Sequence, residues 1–191
     1  DYITERVALR AAIAETKDDH VRIGFRAEPG GPERLAIEVF ANGCLRFHAG
    51  AAPINRLWLR LTAEAGEHVW GAGEQMSYFD LRGRHFPLWT SEPGVGRDKS
   101  TQITWMADQV GAGGDYFHTN YPQPTFVSSR RYAAHVETTA YAAFDFRHQT
   151  FHEIEVWEVP ERIEFYAADT FVEIVGALST RFGRQPPLPD W

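Results

Sequence analysis

The chain is poor in the features that mark redox, metal-binding and membrane proteins. Cys44 is the only cysteine among 191 residues, which excludes an internal disulfide and is compatible with a reducing compartment. No apolar run approaches the ~20 residues of a membrane span, so no membrane partner is expected. The eight His lack the Cys or His partners of a zinc site, and His118, His135, His148 and His152 are better read as packing or local hydrogen-bonding residues. No metal or other cofactor is expected. A nucleophile elbow, kinase loops and a dinucleotide fingerprint are all missing. Basic charge is also short: 19 Lys and Arg face 26 Asp and Glu, for a net charge of -7. With no basic stripe, nucleic acid is excluded as an expected partner.

Apolar and aromatic side chains are plentiful, at 43% and 14% of the chain. That is enough for one large domain with a substantial core, since a compact chain of this size buries on the order of 70% of its unfolded surface. Short alternating runs bounded by turn residues recur. Val21, Ile23 and Phe25 alternate with Arg22, Gly24 and Arg26, and the segment 28–32 (Glu-Pro-Gly-Gly-Pro) forces a turn. Leu35, Ile37 and Val39 follow, then Asn42-Gly43, a pair that favours a tight hairpin because both residues tolerate positive φ. Further strands are predicted at 57–62, 131–137, 141–146, 151–157 and 162–167, with Glu153 and Glu155 on a solvated face. Such a pattern predicts a mainly β protein, an antiparallel β-sandwich.

One helix is predicted near the end. Thr170 and Glu173 have capping-box spacing, Phe171, Val175, Leu178 and Phe182 recur at helical intervals, and Gly183 is placed to stop the helix in the left-handed region. Pro186, Pro187 and Pro189 then make residues 184–191 a stiff connector, leaving residues 1–183 as the sandwich domain. The chain opens on Asp1 rather than Met and closes on Pro189, Asp190 and Trp191, so the expectation is a piece of something longer, with Trp191 buried at a junction.

The stretch from Gly71 to Thr125 has weak periodicity and many Gly, Trp, Tyr and Pro. It is predicted as ordered loops. Two segments there carry candidate site residues. In Gly71-Ala72-Gly73-Glu74-Gln75 the glycines permit close backbone approach, and Glu74 and Gln75 present a carboxylate and an amide suited to sugar hydroxyls. No Lys-Ser/Thr follows, so this is not a phosphate loop. In the segment 87–97, Trp89 and Glu92 combine a stacking surface with an acid, as a loop over a sugar site would. The alternatives are that Glu74 and Gln75 stitch loops together and that Trp89 anchors a long loop. Asp80, Arg82 and Arg84 are expected to form loop salt bridges of little weight.

Gly-Ala-Gly-Glu at 71–74, Tyr-Pro-Gln-Pro-Thr-Phe-Val-Ser-Ser at 121–129 and Gln-Pro-Pro-Leu-Pro-Asp-Trp at 185–191 resemble the amino-terminal region of glycoside hydrolase family 31. Segments 73–83, 86–96 and 113–117 resemble the bacterial sulfoquinovosidase subgroup more narrowly. The resemblance implies a galactose mutarotase-like supersandwich that precedes a (β/α)8 barrel. It also implies a retaining α-glycosidase that uses two carboxylates, both in the barrel, so no catalytic residue is assigned in this chain. The implied partners are the chain's own barrel and an α-glycoside such as sulfoquinovosyl glycerol, with the sulfonate ligands mainly in the barrel. The implied setting is the bacterial cytoplasm. Glu74, Gln75, Trp89 and Glu92 are the expected contributions to the pocket wall. Two other readings stay open: a family 31 α-glucosidase or α-xylosidase with a neutral sugar, and a stand-alone carbohydrate-binding sandwich.

Overall fold

A computed structural model describes residues 3, 5–51, 53–94, 101–111, 113–184 and 186–187. Trp191 and residues 95–97 of the second candidate loop lie outside these residues. The larger of two antiparallel sheets is formed by β1 (Ala11–Thr16), β2 (His20–Arg26), β3 (Glu33–Phe40), β4 (Cys44–Ala49), β6 (Val69–Gly73), β8 (Pro122–Ser128), β9 (Tyr132–Glu137) and β12 (Arg162–Ala167). Its order is β1-β2-β3-β4-β12-β9-β8-β6. The smaller sheet contains β5 (Leu57–Thr62), β7 (His85–Pro87), β10 (Ala142–Asp145) and β11 (Phe151–Val156), in the order β5-β11-β10-β7.

Alternation explains why the sheets stack. In β11, His152, Ile154 and Val156 are buried while Phe151, Glu153 and Glu155 are half-exposed, the period-two signature of a strand with one face inward. Phe126 from the large sheet meets Phe144, Phe146 and His152 in edge-on ring contacts at 5.2, 5.3 and 6.1 Å. Val136 and Ile163 complete that face and Leu57, Ile154 and Phe86 the opposing one. The core therefore lies between the sheets, as the sandwich prediction requires.

Four expectations are corrected. First, the stretch 71–125 is less irregular than its composition suggests, since it holds β6, β7, β8 and a helix α1 (Gln102–Gln109). This helix buries only Thr104, so it shows no apolar period. Second, the hairpin expected at Asn42-Gly43 is present, with β3 and β4 paired across residues 41–43, but only Gly43 of the pair has positive φ, at 85°. Asn42 instead accepts the Cys44 N–H on its side-chain oxygen at 3.0 Å, which makes a longer loop than a two-residue turn. Third, α2 (Phe171–Phe182) has the expected capping box, but its buried residue is Ile174. Phe171, Val175 and Phe182 stay 43%, 55% and 45% exposed. Gly183 has φ 90° and ψ 167°, a glycine-only conformation but not the left-handed helical one.

Fourth, Arg82 and Arg84 do not pair with Asp80. The Arg82 guanidinium donates to the carbonyls of Phe146 at 2.8 Å, His148 at 2.6 Å and Gln149 at 3.0 Å. Arg84 lies over the Tyr78 ring, 3.5 Å from its centre, and donates to backbone carbonyls. Asp80 binds His68 and the Val69 and Arg82 N–H groups.

A polar cluster is sealed inside this apolar frame. Glu67 and His152, both with fully buried side chains, lie 3.1 Å apart. The Nε2–H of His152 is not aimed closely enough at the carboxylate to make a regular hydrogen bond, so the contact is electrostatic more than directional. Ser128 and Tyr132 donate to Glu67 Oε1 and the Glu64 N–H to Oε2. Burial pushes the Glu67 carboxyl up, but the hydrogen bonds from Ser128 and the Glu64 backbone, with the His152 ring beside it, outweigh it and hold it below its usual range. Burial lowers His152, against the pull of Glu67, and also lowers His85 and His135.

These directions set the acid limb of stability. An unfolded chain takes up protons at the ordinary His value near 6.5 and Glu value near 4.5, while the folded chain resists. The stabilisation is present above those values and is lost as pH falls below them, toward the lower values of the folded chain. Thermal melts are expected to be nearly level from pH 8 to 7 and to fall steadily below about 6.5. A melting temperature unchanged or raised at pH 5.5 would contradict this account of the buried histidines.

Candidate functional site

Strand β6 leaves the large sheet through an unusual run of backbone. Gly71, Ala72 and Gly73 have φ values of 117°, 59° and 93°, and the register with β8 shifts between Gly71 and Gly73. A Cβ on Gly73 would lie 2.0 Å from the Tyr121 carbonyl oxygen, so no other residue fits there. Ala72 is fully buried in a left-handed conformation, which costs a non-glycine residue about 1–2 kcal/mol. The kink turns the chain off the sheet and delivers Glu74 and Gln75 to its rim.

Both are held by their neighbours. The Glu74 N–H donates to Tyr121 O at 3.0 Å, and the Glu74 carbonyl accepts from Thr119 Oγ1 at 2.6 Å. Its side chain is exposed and has no ion-pair partner among the described residues. Gln75 donates from Nε2 to the Ala72 carbonyl at 3.0 Å. Its Oε1 is buried and has no hydrogen-bond partner among the described residues. Buried amide oxygens are rarely left unpaired.

The second loop joins the first through Thr119. That residue is fully buried. Its carbonyl accepts from the Ser91 N–H at 3.2 Å, and it bridges Thr90 in parallel fashion. Its hydroxyl also accepts from the Tyr121 N–H at 3.2 Å. Gly94 packs against the loop at residues 113–118 so closely that a Cβ would lie 2.0 Å from Gly114 O. Asp115 and His118 close that loop, with the Asp115 N–H donating to His118 Nδ1 at 2.7 Å. His118 thus packs and bonds locally, as expected.

Trp89 is 54% exposed and sits at the end of an aromatic ladder. Its ring lies 6.0 Å from Tyr141, which lies 4.6 Å from Trp157, which in turn carries the Arg56 guanidinium at 3.7 Å. Trp89 therefore anchors its loop while leaving half its surface open. Glu92 is exposed with no ion-pair partner among the described residues. The structure joins the backbones that carry Glu74, Gln75, Trp89 and Glu92, but no direct contact between these side chains is seen. Sequence reasoning did not find Thr119, because nothing in a single sequence separates a buried linking threonine from an exposed one.

Over its whole length the chain is 62% identical to a sulfoquinovosidase of Agrobacterium fabrum and 44% identical to one of Escherichia coli K12. It superimposes on a GH31 family sulfoquinovosidase from E. rectale, solved with an aza-sugar inhibitor, at a TM-score of 0.89 and 48% identity over 100% of this chain. The chain belongs to glycoside hydrolase family 31. No family model matches it. It spans 28% and 29% of the two curated relatives and 28% of the solved chain. A family 31 dextranase of Flavobacterium johnsoniae, at 16% identity and a TM-score of 0.52, shares the fold alone. The mainly β sandwich with its C-terminal helix is thus the sandwich region of a family 31 protein.

Thr119 should be the weak point of the rim. Thr119→Val removes the hydroxyl and leaves the Glu74 carbonyl and the Tyr121 N–H short of a partner, which is expected to cost about 1–3 kcal/mol. Thr119→Ser keeps the hydroxyl and should lose less. Urea unfolding of both variants measures this, and equal losses would show that packing rather than the hydrogen bonds holds the rim together.

Proposed function

We propose that this chain is the amino-terminal β-sandwich of a retaining α-glycosidase that hydrolyses α-sulfoquinovosides such as sulfoquinovosyl glycerol. The observation that carries the reading is the identity of 44% to 62% over 100% of the chain with proteins named sulfoquinovosidases. Because those relatives are more than three times as long, the chemistry is assigned to the barrel. There one carboxylate attacks the anomeric carbon and a second acid protonates the leaving oxygen. The sandwich ends at residue 183, and residues 184–191 connect it to that barrel. A reducing, bacterial cytoplasmic setting agrees with the lone Cys44.

On this reading the rim at residues 74–75 and 89–92 forms part of the pocket wall. Gln75 Oε1 accepts a hydrogen bond from a sugar hydroxyl, Glu74 accepts from another, and the open half of Trp89 offers a face to the C–H side of a ring. Glu92 adds a further acceptor. Two features favour this over a purely structural role: the unpartnered Gln75 oxygen and the absence of any ion-pair partner for either carboxylate among the described residues.

The test uses the full-length protein. Glu74→Ala and Gln75→Ala are each expected to lower kcat/KM on a sulfoquinovoside by about 5- to 150-fold, the equivalent of one hydrogen bond of about 1–3 kcal/mol. Melting temperatures should change little. If both variants melt early and keep normal kcat/KM well below the transition, the pair only ties loops together. Faster turnover of the corresponding glucoside or xyloside than of the sulfoquinovoside would overturn the substrate.

A further inference from the structure

A cavity of about 400 Å³ opens where the 78–85 segment meets the end of β10. Three guanidinium groups line it, from Arg82, Arg84 and Arg147, together with His85 and the rings of Tyr78 and Tyr116. Among the described residues no acidic side chain lines it. Arg147 is chelated by Asp145, with Nε and Nη2 donating at 2.9 and 2.6 Å, which cancels one positive charge. Arg82 and Arg84 have no carboxylate within ion-pair distance among the described residues. In a chain of net charge -7, two adjacent uncompensated guanidiniums are unusual. Like charges so placed repel each other unless a counter-charge arrives.

The two arginines differ in what they offer. Arg82 spends its donors on three backbone carbonyls and on His152 Nδ1 at 3.4 Å, so it contributes field rather than free N–H groups. Arg84 lies over the Tyr78 ring, and among the described residues only its Nη1 is engaged, at 3.4 Å to Asp80 O and 3.2 Å to Arg82 O. Its Nε and Nη2 edge is left for an incoming acceptor. That edge is the planar two-donor face of guanidinium that suits oxyanions. Tyr116 cannot compete for the ligand, because its hydroxyl donates to His85 O at 2.8 Å. We infer that this cavity is an oxyanion-binding site, with Arg84 as the gripping residue and Arg82 and Arg147 supplying the positive field. The ligand is a compact tetrahedral oxyanion, either free as phosphate or sulfate or carried on a small sugar.

The test is calorimetric titration of the full-length protein with sodium phosphate, sodium sulfate and glucose 6-phosphate, each at constant ionic strength set with sodium chloride. Saturable binding of one anion per chain is expected. Arg84→Gln should weaken it at least tenfold, and Arg84→Lys less, since the charge remains while the fork is lost. Tyr78→Phe guards against a folding defect: it keeps the ring beneath Arg84, and affinity should stay within a few-fold of wild type. Arg131→Gln lies elsewhere, where Arg131 donates to Asp169 O, and should bind normally. Tighter binding of glucose 6-phosphate than of phosphate would place the anion on a sugar, and the reverse would assign a free ion. No saturable heat with any of the three, or an affinity unchanged in a folded Arg84→Gln variant, would overturn the site.

Discussion

Three consecutive residues at positive φ, Gly71, Ala72 and Gly73, are the constraint on which the rim depends. They sit where β6, the edge strand of the larger sheet, parts from β8. Two glycines admit the neighbouring backbone to distances that no Cβ allows, and the alanine between them is buried against the core. Strain of this kind persists only where the surroundings over-determine it. Here the surroundings are the Tyr121 and Thr119 hydrogen bonds to either side of Glu74. The position of Glu74 and Gln75 is therefore a property of the backbone, with side-chain packing playing the lesser part.

A second constraint runs through the middle of the sandwich. Glu67 precedes β6 and His152 belongs to β11, so their contact ties the two sheets together at a polar point inside an aromatic core. His152 also faces Arg82, whose guanidinium closes the carbonyls of residues 146–149. The same guanidinium then forms part of the cationic cavity on the outside. A buried carboxylate is stable only when its lone pairs are satisfied, and Ser128, Tyr132 and the Glu64 N–H do this. Arg82 therefore links the electrostatics of the interior to those of the surface without a salt bridge of its own.

Strands with a clean inside and outside were legible from alternation alone. The segments 57–62 and 162–167 coincide with β5 and β12, and β11 differs by one residue at its end. Where the sequence carried prolines or glycines, the pattern failed for identifiable reasons. β8 contains Pro122 and Pro124, yet its pairing with β9 begins only at Thr125, so the prolines fall where no ladder N–H to β9 is required. β1 is an edge strand of mostly exposed residues, and β7 is three residues long, too little for a period to register. The α2 cap was readable because Thr170 and Glu173 interact locally, whereas its buried face was not, because tertiary packing selected Ile174. The candidate residues were found by composition. Their connection through Thr119 could not be, because it is made by backbone groups whose partners lie 28 to 45 positions away in the chain.

On the proposed reading, a domain that leaves the catalytic acids to the barrel can still matter to the reaction through its rim. Hydrogen bonds to a substrate accelerate a reaction only if the groups that make them are already in place. On the proposed reading the sandwich supplies that placement. The Glu74 backbone is bonded on both sides, Gln75 is fixed by its own Nε2 to the strained Ala72, and Trp89 stands on a ladder of rings that ends in a cation. A flexible loop carrying the same four side chains would have to lose conformational freedom on each binding event, at about 1–2 kcal/mol per ordered residue. A rim rooted in an edge strand has lost that freedom on folding, so the interaction with Gln75 Oε1 is available in full when a donor arrives.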